Sequence, residues 1–425
     1  MSDTVFTNVM ILDGSGSAPY LGEVLVQDTR IKTIAAGAHT VARDGATLVN
    51  GDGATLMPGL VNCHGHPTYP NMGADLYETG EIPVEEHVLI TMHNVKTMLD
   101  HGFTALVNGS SAKARLDIVI RNEINAGKIP GPRMRAATPE LTVTGGLGDL
   151  RQLHMYHEGF AEVLDGPEEI RKYTRLMIRE GVDVIKLMIS GDNFVRTGTA
   201  QMTVMQEDEV AACCSLARAH NRRVIAHART AESVKMCIRH GITLIYHANF
   251  CDEEALDLLE ANKDGYFVNP AIGLSYATLN QMEEYGVTRA MAEAWGFEHE
   301  LESAIHTTQE LHRRGVRVLP FGDYGFAWNR IGKDARDLEH FVNLMGFSPA
   351  ETLMMATKSG GECFGDQLGM IKEGYLADLI LVDGNPVEDI SLLQDPDNLL
   401  MIMKDGAFHK EPQVRRAARL RTAAA

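Results

Sequence analysis

Between residues 58 and 366, eight short apolar runs alternate with helix-length amphipathic stretches, and few folds accept so regular an alternation. The candidate strands are Leu60–Asn62, Thr104–Val107, Arg133–Ala137, Val182–Met188, Arg223–Ala226, Thr243–Tyr246, Tyr266–Asn269 and Arg317–Phe321. The gaps carry helical periodicity over Glu85–Asp100, Leu116–Asn125, Glu168–Glu180, Glu207–His220, Ala231–Arg239, Asp252–Ala261 and Glu298–Arg314. Several of these stretches run into a glycine before the next strand: Gly102, Gly127, Gly181, Gly241 and Gly315. Such a step is the left-handed cap that ends a helix. Eight repeats of this kind point to the α/β class and to a (β/α)8 TIM barrel rather than an open doubly wound sheet. No Gly-x-Gly-x-x-Gly follows the first strand, which argues further against a dinucleotide fold.

The chain ends read differently. Val5 to Leu12, Gly22 to Gln27, Ile31 to Ala35 and Thr47 to Asn50 are strand-like, as are Ala377 to Val382 and Leu399 to Met403. Chain termini often lie close together, so residues 1–57 plus 367–425 are expected to form one small β-sandwich domain beside a barrel of residues 58–366.

In a barrel of this type the working groups sit at the carboxyl ends of the strands. The first strand ends in His64-Gly65-His66, and residues i and i+2 of a strand point to one side. Later strand ends bring Lys186, His227, His247 and Asp323. Neutral imidazole is the commonest protein ligand for a divalent metal, so the set reads as a metal site. Lys186 lies within Val182-Asp183-Val184-Ile185-Lys186-Leu187-Met188, an apolar run where an isolated ammonium is costly. A desolvated amine can add carbon dioxide and become a carbamate, an anionic two-oxygen ligand able to bridge two cations.

With these residues in place, the chain resembles the amidohydrolase superfamily, in its binuclear branch with a carboxylated lysine. The likeness runs through Pro58-Gly59-Leu60-Val61, His64-Gly65-His66, Asp183-Val184-Ile185-Lys186, His227, His247, Asp323 and the closing Gly374-Tyr375-Leu376-Ala377-Asp378-Leu379. It implies two divalent metal ions, with zinc expected and manganese or cobalt as alternatives. His64, His66 and Asp323 would hold one, His227 and His247 the other, and carboxylated Lys186 would bridge them. The implied activity is hydrolysis of an amide-type C–N bond in a small molecule, with Asp323 and Lys186 as the catalytic pair.

Within that superfamily the chain is most similar to imidazolonepropionase-related and Xaa-Pro dipeptidase-like enzymes. That group implies N-acyl amino acids, dipeptide-like compounds or aryl amides as substrates; aryl ureas, carbamates, cyclic imides and lactones are the alternative bonds. Thr142 to Asp149 resembles the Gly-Gly-His-Gly loop of the peptide-cleaving relatives, with Leu147 at the histidine position. Arg229 shares a strand side with His227 and is read either as a clamp for a substrate carboxylate or as an internal ion pair. His157 and Asn269 are the other candidate substrate contacts. Asp192 is a candidate to orient a ligand histidine.

The 39 basic and 57 acidic residues leave a formal net charge of -18. That balance argues against nucleic acid or an anionic membrane surface as a partner. No apolar run is long enough to suggest a membrane span. Six cysteines without CxxC spacing and an amino terminus without a secretory pattern lead to the expectation of a cytoplasmic enzyme. A homo-oligomer is expected from the resemblance.

Overall fold

The computed structural model describes residues 3–37, 39–73, 77–154, 159–195 and 198–413. Five strands come first: β1 (Thr4–Ile11), β2 (Tyr20–Gln27), β3 (Arg30–Ala36), β4 (Thr47–Asn50) and β5 (Thr55–Pro58). The barrel strands follow as β6 (Leu60–Gly65), β7 (Phe103–Asn108), β8 (Arg133–Arg135), β9 (Ala137–Thr142), β10 (Ala161–Val163), β11 (Val184–Met188), β12 (Arg223–Thr230), β13 (Leu244–Phe250), β14 (Phe267–Asn269) and β15 (Arg317–Val318). Three more, β16 (Leu379–Val382), β17 (Leu399–Lys404) and β18 (Ala407–Lys410), close the chain.

The two ends join in one sheet of order β18-β17-β16-β5-β1-β2-β3, with β4 also on β1. The seam between amino- and carboxyl-terminal halves is the antiparallel pair β5–β16, where Met57 faces Ile380. Phe6, Val26, Ile31, Leu56, Leu381 and Met401, drawn from both halves, share one buried cluster.

The expected third barrel strand is two elements. β8 pairs with β7, β9 pairs with β11, and only Ala136 separates them, so one chain segment links the ladder β6-β7-β8 to β9-β11-β12-β13-β14-β15. All these pairings are parallel. The lumen is filled by one apolar cluster drawn from β6, β7, β9, β11, β12, β13, β14 and the stretch after β15: Val61, Val107, Ala137, Val184, Ile225, Tyr246, Phe267 and Leu319 among them. That interior marks a closed α/β barrel. A second cluster, including Ile170, Val210, Val234 and Leu311, packs the helices onto the outside.

The glycines expected to end helices do so in the left-handed region, with φ from 69° at Gly127 to 100° at Gly181. The expected eighth strand, Arg317–Phe321, is shorter than its apolar run. Its ladder stops at Val318 because Phe321 (φ 72°) and Asp323 (φ 54°) turn the chain left-handed. Among the described residues no helix is long and apolar enough to cross a membrane, and five of the six thiols are buried, Cys251 being half-buried.

Candidate active site

The strand ends converge on Asp323. Nε2 of His64 and Nε2 of His66 each lie 3.2 Å from its Oδ1, as two side chains on the same face of β6 should. His247 approaches the other oxygen, Oδ2, at 3.7 Å. The His227 ring lies against His247, with centroids 4.3 Å apart. Lys186 lines the same cleft as His66, His227 and Asp323.

Left-handed backbone at non-glycine positions is uncommon and is concentrated here. Besides Phe321 and Asp323, His247 has φ 77° and Ala248 φ 52°. These last two form a bulge that shifts the β12–β13 register after Ala228 and re-aims the imidazole. Strain of this kind is typical of functional sites, where surrounding packing holds it in place.

The space around the rings is equally specific. A Cβ at Gly109 would sit 2.7 Å from both His64 and His66, and one at Gly322 would sit 2.9 Å from His64 Nδ1. Tyr246 stacks on His64 with centroids 3.4 Å apart, an interaction worth about 0.5–1.5 kcal/mol beyond burial. Its other neighbour is the Lys186 ammonium, 4.2 Å from the ring centre. Tyr69 stacks on His66 at 4.3 Å.

Hydrogen bonding fixes which ring nitrogens are free. His64 Nδ1 donates to Asn269 Oδ1 at 3.3 Å, leaving Nε2 as an acceptor. That nitrogen faces Asp323 yet makes no hydrogen bond. Two acceptors in such contact are unfavourable unless a proton or a metal ion lies between them. His227 Nε2 donates to the Gly191 carbonyl at 3.0 Å, which leaves its Nδ1 available. The ligand atoms of His64, His247 and Asp323 lie within 4.8 Å of one another. Burial lowers His64, His227 and His247 well below the ordinary imidazole range, which keeps them neutral. Burial also lowers Lys186, to about 8, against the opposing charges of Glu140 and Asp323. Asp323 stays below the usual carboxylate range: burial would raise it, but His64 and His66 outweigh that. The donor set and the orphaned nitrogen fit a metal centre.

Two of the expected substrate contacts, Arg229 and Asn269, are engaged within the protein. Arg229 is 2% exposed and its guanidinium is engaged: Nε and Nη2 donate to Asp192 Oδ2 at 3.0 and 2.7 Å, and Nη1 donates to Glu300 and Asn249 at 2.8 and 2.9 Å. Of its two readings, the internal ion pair is the one seen, because two buried carboxylates reach it first. Asn269 is fully buried behind His64 and orients that ring, with Nδ2 donating to the Pro320 carbonyl at 3.2 Å. Asp192 is held by Arg229 rather than by a ligand histidine. His157 lies outside the described residues.

Sequence reasoning missed Glu140. It lies within β9 and lines the cleft, 5% exposed, with Oε1 accepting from the Tyr69 hydroxyl at 2.7 Å. Burial raises its carboxyl to about 7, opposed by Lys186. The signal was present in Glu140-Leu141-Thr142-Val143, an alternating run, but Pro139 reads as the end of a strand. A register shift between Val184 and Lys186 accommodates that proline, and the Lys186 amide donates to Thr138 Oγ1 at 3.0 Å.

The cleft is also lined by apolar side chains: Phe160, Phe194, Phe326, Leu274 and Leu147.

The sequence matches the model of the amidohydrolase family over residues 55–408. The chain belongs to this family. Ochratoxinase from Aspergillus niger is 27% identical over 389 residues, covering 84% of this chain and 76% of that protein. A solved prolidase in complex with N-methylphosphonate-L-proline superposes with a TM-score of 0.85 at 25% identity, covering 96% of this chain and 99% of the other. A Xaa-Pro dipeptidase with methionine in its active site gives 0.83 at 25% identity, over 96% and 100% of the two chains. This amidohydrolase is therefore an enzyme of the hydrolase class, in a family that is generally metal-dependent.

Proposed function

We propose that this amidohydrolase cleaves an amide-type C–N bond in a small molecule at a binuclear metal centre. The observation that carries the reading is the meeting of His64 and His66 on one oxygen of Asp323, with His247 on the other. In the proposed arrangement His64, His66 and Asp323 would hold one divalent cation, His227 and His247 would hold the second, and Lys186, as its carbamate, would complete the ligand set. Zinc suits these donors best, with manganese or cobalt as alternatives. Such a pair supplies a water of lowered pKa and polarises the scissile carbonyl.

The chain's own groups do the rest. Asp323, held in one orientation by its left-handed backbone, takes the proton of the attacking water on its carboxylate and returns it to the leaving nitrogen. Asn269 and the Gly191 carbonyl keep His64 and His227 in the tautomers that leave one nitrogen free. The aromatic wall excludes bulk water from the reacting end. N-acyl amino acids, dipeptide-like compounds and aryl amides are the substrate classes of first choice. Aryl ureas, carbamates, cyclic imides and lactones would use the same groups. A protein that only binds metal would have little use for this cleft beside its ligands. We also place the enzyme in the cytoplasm as a homo-oligomer; cell fractionation and light scattering test those two points.

The test is turnover on a panel of N-acyl amino acids, dipeptides and aryl amides after reconstitution with zinc, manganese or cobalt. Hydrolysis of at least one class, abolished by chelation and restored by metal, supports the proposal. No turnover of any class by protein carrying two metals per chain contradicts it.

A further inference from the structure

Glu140 is an acidic group of the cleft outside the proposed ligand set. Its orientation is imposed from two sides. Oε1 accepts from the Tyr69 hydroxyl at 2.7 Å and from Ser110 Oγ at 3.5 Å. Tyr69 cannot drift, because it is stacked on His66 and its hydroxyl also meets Ser110 Oγ at 3.0 Å. Oε2 lies beneath Gly148, where φ is 86° and an added Cβ would come within 2.7 Å of that oxygen. The same oxygen is buried and has no hydrogen-bond partner. A carboxylate oxygen fixed in place, removed from water and lacking a donor is costly unless something completes it. Glu140 shares the cleft with the apolar wall of Phe160, Phe194 and Phe326, so a ligand can meet both at once.

We propose that Glu140 is a specificity-determining residue whose Oε2 accepts a hydrogen bond from an N–H or ammonium donor on the substrate. The inference rests on the amide-hydrolase reading and narrows it. The enzyme takes aryl amides that carry a donor on the ring held by the wall, in preference to matched amides that carry a carboxylate there. Charge-assisted hydrogen bonds to a carboxylate are the strong ones, and a substrate carboxylate brought to the same oxygen meets repulsion instead.

The experiment compares three acetanilides on the metal-loaded enzyme, bearing 4-aminomethyl, hydrogen or 4-carboxylate on the ring. Wild type is expected to favour the aminomethyl over the carboxylate compound by about tenfold or more in kcat/KM. In Glu140→Gln the Tyr69 hydroxyl still needs an acceptor, so the amide turns its NH2 to the Oε2 position and the preference reverses. Glu140→Asp keeps the sign of the preference at reduced size. A wild-type ratio near one or favouring the carboxylate overturns the proposal. So does a Glu140→Gln enzyme that loses rate on all three compounds equally, since Glu140 would then act only through Lys186, its neighbour across the β9–β11 ladder. If no anilide is hydrolysed, the amide-hydrolase reading is left to the wider substrate panel, and equilibrium binding of benzylamine decides the role of Glu140. Binding weakened about tenfold or more in Glu140→Gln supports the role, and equal binding in both proteins overturns it.

Discussion

The two sides of the cleft are built in opposite ways. The metal side consists of side chains from β6, β11, β12 and β13 and from the turn after β15, locked by ladders, ring stacking and hydrogen bonds to Asn269 and Gly191. The other side consists of Leu147, Phe160, Phe194, Leu274 and Phe326, which come from loops or from a helix beyond the strands. Its contacts are aromatic edges and offset faces, such as Phe194–Phe297 at 4.8 Å and Phe326–Trp328 at 5.3 Å. In the proposed reading the chemistry stands on the strand-borne half, and the loops around it can vary without disturbing it.

The largest effect that can break this division is Asp323→Asn. Losing the proton carrier should cost about 10²–10⁴-fold in kcat with the fold intact by circular dichroism. A variant retaining a tenth of the activity would remove Asp323 from the chemistry. Gly109→Ala comes next. Its methyl group would push on the His64 and His66 rings, so metal affinity, measured by competition with a chelator, should fall about 10–100-fold. On the other side, Phe194→Ala should raise KM several-fold while kcat changes little, because only binding surface common to substrate and transition state is lost. A fall in kcat at constant KM would show that the wall takes part in the reaction.

The smallest effect concerns a support behind the ligands. Asn62 accepts the His64 amide at 2.8 Å and donates to Asp334 Oδ1 at 3.1 Å. Burial raises the Asp334 carboxyl to about 7, so the folded state favours its protonated form. That contribution to stability is complete below the ordinary carboxylate range and is lost as pH rises through about 7. Asp334→Asn does not titrate, so between pH 5 and pH 8 its stability should rise relative to wild type. Urea unfolding should show a change on the order of 1–3 kcal/mol, with activity barely altered. A pH-independent difference would mean that Asp334 ionises as freely in the folded protein as in the unfolded chain.

The same contrast explains what could be read in the sequence. Each metal-side residue follows an apolar run of the right length, and a glycine marks the end of several preceding helices, so strand ends can be located by local pattern alone. Phe160, Phe194 and Phe326 have no such marker, since their meeting depends on how three loops fold back over the barrel. Glu140 lies between these cases. It is a strand residue, hidden by Pro139, whose missing donor a register shift absorbs. Arg229 was legible as important but not in its role, because Glu300, its buried partner, sits on a helix 71 residues away in sequence.

The central claim is that the metal side is a two-cation centre closed by Lys186. Metal content per chain, measured by mass spectrometry on wild type and on Lys186→Ala with and without added propionate, tests it most directly. Two equivalents in wild type are expected. Lys186→Ala should lose at least one of them together with activity, and propionate should restore both. Full metal content and full activity in Lys186→Ala would contradict the account.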